Sequence, residues 1–407
     1  MRIPLEIIFL TILIQSIIDI YIWIDLYKSY HISAKKSVRC LILLQSCILI
    51  FIVAILLPRR DTDANIQPIM WLLYIYITTL FPKIIYVIFS LIGRIPTIFR
   101  KNNLKLGLYI GIPAAIVIFI SMWWGSLISR KQIDINNADI YSEKLPSEFE
   151  GYKIVQFSDL HLGTFGNDTT FISKVVDSIN SLKPDLIVFT GDFVNRETNE
   201  ARPFINTLSK LQAKDGIYSI LGNHDYGDYM DWNSPSDKML NLNSLYHVQE
   251  SINWKLLNND YDIIRHKNDS IIIIGVENWG EPPFKQYGDL TNAYKIHRCN
   301  KLYDNNFKIL LSHNPNHWSS EVINNSNIDL TLSGHTHAMQ FMIKIGNWKW
   351  SPSMWKYDEW AGLYSRKNKN NDNLQLYVNI GIGEVAIPFR LGANPEITLI
   401  TLRKSSK

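Results

Sequence analysis

The sequence predicts an α/β protein in two unlike parts, a four-helix transmembrane bundle followed by a domain built on buried β-strands. Three observations lead to this prediction. Long apolar stretches fill the first 130 residues, short runs rich in Ile, Val and Leu replace them from about residue 150, and polar clusters follow five of those short runs. At 407 residues the chain is also too long for one ordinary domain.

The first 130 residues contain four apolar stretches, at about 3–24, 38–58, 68–92 and 104–128. Each is long enough for the ~20 residues that a helix needs to cross the hydrocarbon core of a bilayer. The first stretch exceeds the apolar core of a signal peptide and no small-residue cleavage site follows it, so we expect it to stay in the mature protein. Residues 1–130 are therefore predicted to form a transmembrane domain, and 131–150 a linker.

Basic residues in the connecting loops predict the orientation, because Lys and Arg near helix ends are retained in the cytoplasm. Eight lie in the first and third loops, namely Lys28, Lys35, Lys36, Arg39, Arg94, Arg100, Lys101 and Lys105. Five lie on the opposite side, namely Arg2, Arg59, Arg60, Arg130 and Lys131. This balance favours a multi-pass protein of the inner membrane with both termini, and therefore residues 131–407, on the extracytoplasmic face.

Two charged residues fall well inside the predicted spans, Asp19 in the first and Lys83 in the third. A charge at the centre of a transmembrane helix costs about 2.5–3.5 kcal/mol on insertion scales. One interpretation is that each side chain extends toward the membrane surface, which suits Lys83 better than the short Asp19. The other is an ion pair inside the bundle, because both residues lie toward the same end of parallel spans.

The second part of the chain is nearly neutral, with 26 Lys and Arg against 27 Asp and Glu over residues 151–407. It has no polybasic run, so nucleic-acid binding by a charged surface is disfavoured. The three cysteines are too few for a disulfide framework.

Five apolar runs of this part read as strands buried on both faces, because they are short and alternate little. Helical stretches between the early runs indicate βαβ units. The runs end in these residues: Asp159 and His161; Asp192; Asn223, His224 and Asp225; His313; His335 and His337. Ligands of such sheets bind beyond the carboxyl ends of the strands, so we expect these clusters to meet at one edge of one sheet.

The clusters could be ordinary polar loops, and His335 and His337 ordinary histidines in a turn. Five clusters at equivalent strand ends make that interpretation weak, and they predict a metal site instead. Mixed nitrogen and oxygen ligands suit Mn, Fe, Zn or Co, and the sequence does not choose among them. His317 is interpreted as a loop residue rather than a ligand.

The ordered motifs resemble those of the calcineurin-like metallophosphoesterases: "DLH" at 159–161, "GD" at 191–192, "GNHD" at 222–225, His313 and "GHTH" at 334–337. The resemblance covers about 150–407 and is closest to the YkuE-type branch of membrane-associated bacterial phosphoesterases. It implies an αββα sandwich over residues 151–407. One departure is "GHTHAMQ", where Ala338 and Met339 stand in place of the two glycines usual in that branch.

The resemblance also implies two divalent metal ions and the residues that hold each of them. One ion would be held by Asp159, His161, Asp192 and His337, and the other by Asn223, His313, His335 and the shared Asp192. Such ions lie ~3.5–4 Å apart and activate a water for in-line attack on a phosphoryl group. His224 is then a catalytic imidazole that stabilises the transition state or protonates the leaving oxygen, with Asp225 orienting it.

These features predict a membrane-anchored phosphohydrolase acting on a phosphorylated small molecule or lipid of the cell envelope. Two alternatives stay open, a cytoplasm-facing pyrophosphatase acting on a UDP-linked acylated sugar, and a membrane sensor whose metal domain only binds. A cluster of tryptophans at 348, 350, 355 and 360 is either core packing or an amphipathic lip near the membrane surface.

Overall fold

A computed structural model describes residues 5–30, 45, 67–99, 102–282, 285–294, 305–346 and 348–405. Its contacts divide the chain into two compact units. The first comprises Met1–Ile128 with Ala386–Leu391, and the second comprises Ser129–Val385 with Gly392–Lys407.

The described residues of the first unit are mainly helical. Its helices are α1 (Leu5–Tyr30), α2 (Gln67–Ile98) and α3 (Ile112–Leu127), with a π-helical turn over Gly107–Gly111 before α3. In the described part of the chain, three segments are long and apolar enough to cross a membrane, Leu10–Tyr27, Gln67–Ile98 and Gly107–Lys131. They match the first, third and fourth predicted spans, whereas the span predicted at 38–58 lies outside the described residues except for Gln45.

Charged side chains inside this unit pair with one another. The Nζ of Lys83 lies 2.8 Å from Oδ1 of Asp19, which agrees with the ion pair, the second of the two interpretations of these charges. A second pair, Arg94 with Asp25, was not predicted, and Tyr86 also donates a hydrogen bond of 2.7 Å to the fully buried Asp25. Pairing offsets the cost of placing these charges among apolar helices, since each is neutralised by a partner on another helix.

Among the residues that the structure describes, the second unit contains two six-stranded sheets and a separate two-stranded ribbon. The strands are β1 (Asp134–Ser142), β2 (Lys153–Phe157), β3 (Leu186–Phe189), β4 (Ile217–Ser219), β5 (Trp254–Leu256), β6 (Asp260–His266), β7 (Asp269–Gly275), β8 (Lys308–Leu311), β9 (Leu330–Ser333), β10 (Ile343–Ile345), β11 (Trp348–Trp350), β12 (Gly362–Lys367), β13 (Asn373–Val378) and β14 (Glu396–Lys404). The helices are α4 (Thr170–Ser181), α5 (Ile205–Leu208), α6 (Pro235–Ser251), α7 (Leu290–Ala293) and α8 (Ile323–Asn325).

The two sheets pack face to face, with helices on both outer faces. The first has the order β1-β14-β2-β3-β4-β5 and the second β12-β13-β9-β8-β7-β6. Alternating side chains of one strand serve different cores: Ile154 packs between the sheets with Ile309, whereas Val155 packs against helix α4 through Val175. The outer core of the second sheet contains Trp318. This layering confirms the αββα sandwich, and burial of both sheet faces explains why the strands read as continuous apolar runs.

The structure corrects the prediction that one sheet carries all five polar clusters. Strands β2, β3 and β4 are parallel neighbours in the first sheet, whereas β8 and β9 are parallel neighbours in the second. The clusters meet because the carboxyl ends of both strand sets lie at the same end of the sandwich. Apolar runs specify strands but not which strands pair, so the sequence did not reveal the second sheet.

The predicted linker at 131–150 also contains regular structure. Residues 134–142 form strand β1, which pairs in parallel with β14 along nine residues of register from Asp134↔Glu396 to Ser142↔Lys404. The burial of β1 is low, with only Ile140 fully buried, because it is the edge strand of the first sheet. A polar sequence such as "DINNADIYS" therefore resembles a linker although its backbone is paired.

Candidate metal centre

The loops that follow β2, β3, β4, β8 and β9 bring the seven predicted ligands together. Five of them adopt left-handed backbone conformations, with φ of 52° at Asp159, 43° at His161, 59° at Asp192, 74° at His335 and 50° at His337. This conformation costs a residue other than glycine roughly 1–2 kcal/mol. Such strain concentrates at functional sites, where the surrounding structure holds side chains in one orientation.

One group of side chains comprises Asp159, His161, His337 and Asp192. The Nε2 atoms of His161 and His337 lie 3.1 Å apart. Oδ1 of Asp159 lies 3.2 Å from Nε2 of His337, and Oδ2 of Asp192 lies 3.5 Å from Nε2 of His161. All four side chains are buried, so these polar atoms face one another rather than solvent.

A second group comprises Asp192, His313, His335 and Asn223. Nε2 of His313 lies 3.2 Å from each of three atoms, namely Oδ2 of Asp192, Oδ1 of Asn223 and Nδ1 of His335. Oδ2 of Asp192 thus belongs to both groups. The two groups are those that the family resemblance implies.

The donor chemistry fits a pair of divalent cations. Ligands of one ion lie roughly 3–3.5 Å apart when each bond is about 2.0–2.2 Å, which is the spacing found within both groups. Facing imidazole nitrogens at such distances cannot all donate protons to one another, whereas a cation between them would accept every lone pair. A shared carboxylate adds the negative charge that two adjacent cations require.

Neighbouring groups fix the orientation of the ligands. The Nδ1 of His313 lies 2.7 Å from the carbonyl of Thr190, which leaves Nε2 to face the second group. The amide of Asn223 donates a hydrogen bond of 2.8 Å to the hydroxyl of Tyr229, so that its Oδ1 points inward. Such outer partners orient metal ligands and set their tautomers.

Two tyrosines at the centre were not predicted from the sequence. The hydroxyl of Tyr357 lies 3.0 Å from Nε2 of His335, and the ring of Tyr229 stacks on the imidazole of His224 with centroids 4.2 Å apart. Tyr229 lies six residues after Asn223 in the same loop, so its place beside the centre could have been predicted from the sequence. Tyr357 lies 20 residues after His337 in the sequence, and only the fold shows that its hydroxyl contacts the centre.

His224 lies beside the first group, and a ring nitrogen of His224 is within 4.8 Å of ligand atoms of His161 and Asp192. Its Nδ1 lies 2.7 Å from the carbonyl of Asn195. The prediction that Asp225 orients His224 is therefore wrong, because a backbone carbonyl occupies that position.

The carboxylate of Asp225 instead accepts hydrogen bonds from backbone N–H groups around the ligand loops. The donors are Asp192 at 3.0 Å, Phe193 at 2.8 Å, Val194 at 3.2 Å and Gly222 at 2.9 Å. Asp225 thus joins the loop that carries Asp192 to the loop that carries Asn223. Its contacts are those of a positioning residue.

Burial and charge move the pKa values of two neighbouring histidines in opposite directions. Burial lowers the pKa of His313, but the adjacent Asp192 and Asp159 carboxylates reverse this effect and raise it to about 9. Burial lowers the pKa of His335 to about 3, and the positive charge of His313 contributes to that decrease.

The backbone conformation after His337 explains why relatives usually carry two glycines at the positions of Ala338 and Met339. Ala338 and Met339 have φ of 48° and 44°, in the left-handed region that glycine enters without steric cost. The chain accommodates an alanine and a methionine there, with Ala338 buried and Met339 46% exposed. His317 lies outside both groups: it is buried with its Nδ1 2.9 Å from the hydroxyl of Ser312, which agrees with a structural role.

Comparisons with known proteins agree with this geometry. The profile of the calcineurin-like phosphoesterases matches residues 152–339, and a profile described as a probable calcineurin-like phosphoesterase transmembrane domain matches residues 1–130. The chain is 31% identical to the metallophosphoesterase YkuE of Bacillus subtilis over 280 residues, which covers 67% of this chain and 87% of YkuE.

Two further relatives are similar over part of their length. A transmembrane protein with metallophosphoesterase domain from Danio rerio is 26% identical over 72% of this chain, which spans 62% of that relative. The UDP-2,3-diacylglucosamine pyrophosphatase LpxG of Chlamydia muridarum is 32% identical over 126 residues, covering 30% of this chain and 38% of LpxG.

Proposed function

The chain belongs to the family of calcineurin-like phosphoesterases and is a membrane-associated hydrolase of phosphoric esters, and from this premise we propose that it cleaves a phosphate ester or pyrophosphate of a lipid-linked or cell-envelope substrate. The observation that carries the proposal is the pair of ligand groups joined by Asp192, in a chain whose other unit consists of apolar helices.

The ligand assignment in this proposal follows the two groups of side chains. Asp159, His161 and His337 would hold one ion, Asn223, His313 and His335 would hold the other, and Asp192 would contribute to both. When bound, two such ions lower the pKa of water and neutralise charge on a phosphoryl group. Mn, Fe, Zn and Co all suit this mixture of nitrogen and oxygen ligands.

The remaining residues donate a proton or hold other side chains and loops in position. In the proposed scheme His224 donates a proton to the leaving oxygen. The contact of its Nδ1 with the Asn195 carbonyl supports this role, because it leaves Nε2 free to act on the substrate. Tyr229, stacked on the imidazole, keeps the ring in this orientation. Asp225 holds the loops that carry Asp192 and Asn223 at a fixed separation. No side chain in this scheme forms a covalent bond with the substrate.

The proposal is tested by the hydrolysis of defined substrates by the full chain purified in detergent. We expect metal-dependent release of phosphate or of an alcohol from phosphodiesters or pyrophosphates, with activity lost on chelation and restored by Mn, Fe, Zn or Co. A panel that contains bis(p-nitrophenyl) phosphate, a lipid phosphate and a UDP-linked acylated sugar separates the substrate classes. Absence of turnover on every phosphoester with both metals bound would favour the sensor instead.

The second candidate substrate is a UDP-linked acylated sugar on the cytoplasmic side, and the similarity to LpxG favours it. The two candidates differ in membrane orientation. The excess of basic residues in the first and third loops favours an extracytoplasmic catalytic domain, where lipid-borne phosphates of the envelope are accessible and cytoplasmic nucleotide sugars are not.

Reporter fusions at Lys407 distinguish these orientations. We expect alkaline phosphatase, which is active only outside the cytoplasm, to be active when fused there, and a fluorescent protein that matures only in the cytoplasm to stay dark. The control is the same pair of reporters fused after Lys101, in a loop predicted to face the cytoplasm, where the opposite result is expected. A fluorescent fusion at Lys407 would reverse the predicted orientation and support the nucleotide-sugar substrate.

A further inference from the structure

The two-stranded ribbon β10–β11 presents one wholly apolar face. Its register pairs Ile343 with Trp350, Lys344 with Lys349 and Ile345 with Trp348. Directly opposed residues share a face and successive residues alternate. The two isoleucines and two tryptophans therefore lie on one face of the ribbon and the lysines on the other.

This apolar face is open to solvent. Ile345 is 68% exposed and Trp348 is 55% exposed. Trp355, which packs edge-on against Trp350 with ring centroids 5.9 Å apart, is 80% exposed. Within the described residues, neither six-stranded sheet includes β10 or β11. Contiguous exposed apolar surface of this kind marks an interaction site. Trp360, by contrast, is buried, so the sequence cluster of tryptophans divides into a packed member and an exposed group.

The segment that contains the ribbon carries only positive charges, and Asp358 and Glu359 follow it closely in the sequence. Residues 338–356 contain three lysines, at 344, 349 and 356, and no aspartate or glutamate. The Lys349 side chain packs against the protein: its Nζ donates a hydrogen bond to the carbonyl of Ala361 and lies 5.1 Å from the centre of the Trp360 ring. Lys344 and Lys356 are exposed. Tryptophan with lysine is the combination that proteins place at the headgroup level of membranes, and the lysines complement anionic lipids.

The ribbon is attached to the metal centre at both ends. Its first strand begins at Ile343, six residues after His337, and the chain returns to the centre at Tyr357, whose hydroxyl lies 3.0 Å from Nε2 of His335. Its base is closed by the hydroxyl of Ser351, which donates a hydrogen bond of 2.6 Å to the carbonyl of Ala338. A surface that binds the ribbon is therefore held next to the ligand groups.

We propose that the face formed by Ile343, Ile345, Trp348, Trp350 and Trp355, called here the ribbon face, docks on the anionic headgroup region of a lipid bilayer. Docking places phosphates carried by membrane lipids beside the metal centre, a consequence that rests on the proposed hydrolase function. The docking itself does not depend on catalysis. It restricts the substrate class to phosphates that lie at the bilayer surface rather than free in solution.

The test uses the full chain in lipid nanodiscs, with Cys40, Cys47 and Cys299 replaced by serine and an environment-sensitive NBD fluorophore on Ile345→Cys. The matched control carries the label on Leu240→Cys in α6, an apolar residue that is 63% exposed. We expect a blue-shifted emission and protection from iodide quenching at position 345, and neither at position 240. Both effects should increase when phosphatidylglycerol is added to phosphatidylcholine nanodiscs.

Equal emission and equal iodide quenching at the two positions, in both lipid compositions, would overturn the docking proposal and leave a protein partner as the occupant of the face. The fluorescence measurement reports contact with lipid and does not depend on turnover. A negative result therefore leaves the hydrolase assignment standing, and loss of hydrolysis in a separate assay leaves the docking result standing.

A second variant tests whether the lysines of the ribbon contribute to the recognition of anionic lipid. Lys344→Glu, added to the labelled Ile345→Cys chain, should remove most of the increase that phosphatidylglycerol produces. Lys210→Glu makes the same charge change at another exposed position and should leave that increase intact. An identical response of the two charge variants would show that the ribbon does not recognise anionic lipid.

Discussion

Asp192→Asn should leave no measurable phosphoesterase activity and should reduce the metal content of the purified protein below two ions per chain. The carboxylate is the only group shared by the two ligand groups, with Oδ2 lying 3.5 Å from Nε2 of His161 and 3.2 Å from Nε2 of His313. A neutral amide presents one oxygen of weaker basicity and cannot offset the charge of two adjacent cations. Metal analysis by mass spectrometry together with a hydrolysis assay measures both effects.

The matched control is Asp177→Asn, which removes the same charge from an exposed side chain of α4 that belongs to neither ligand group. Full activity and two metals are expected there. Because Oδ1 of Asp192 also accepts the backbone N–H of His224 at 2.8 Å, thermal unfolding should be recorded for both variants. An Asp192→Asn protein that is folded, holds two metals and turns over normally would contradict the bridging assignment.

His224→Ala should keep both metals while turnover falls by about 10²–10⁴-fold, the usual contribution of a positioned acid or base. The imidazole lies beside the first ligand group, and its Nδ1 is engaged by the Asn195 carbonyl. The loss should be smaller for substrates with a good leaving group such as p-nitrophenolate, because they need little protonation. Comparison of turnover on p-nitrophenyl and alkyl phosphodiesters measures this difference.

His247→Ala serves as the control, since the His247 side chain is 80% exposed on α6. Its activity should match that of the unaltered chain on both substrates. Loss of metal from the His224→Ala protein would assign His224 a structural or ligand role. An equal loss on good and poor leaving groups would instead assign it to stabilisation of the transition state without proton transfer.

Several features of the site could be predicted because they are local in the sequence. Asp159 and His161 follow a strand within four residues, as His335 and His337 do, and strand ends of parallel sheets face one direction. The apolar runs were long enough to define β2, β3 and β9 and regular enough to define α4. The two sheets nevertheless appeared as one, because pairing depends on contacts between strands that are distant in the chain.

The roles of Asp225 and Tyr357 depended on such distant contacts. Asp225 is adjacent to His224 in sequence, yet its side chain points toward the backbone of residues 192–194, and the Asn195 carbonyl takes its expected position. Tyr357 reaches His335 only because the ribbon β10–β11 returns to its base. Sequence adjacency predicts which residues share a loop, but not the direction in which neighbouring side chains point.

The sequence by itself determined the division into an apolar helical part and an α/β part and the identity of most chemistry-bearing residues, because these follow from composition, periodicity and the order of the motifs. It left open whether Asp19 and Lys83 pair or extend toward the membrane surface, since either arrangement reduces the cost of an isolated charge. Only the tertiary structure decided that two sheets supply the ligand groups, that residues 134–142 pair with β14, and that the ribbon face is exposed next to the metal centre. Strand pairing and side-chain exposure are set by contacts between segments far apart in the chain, and no local pattern specifies them.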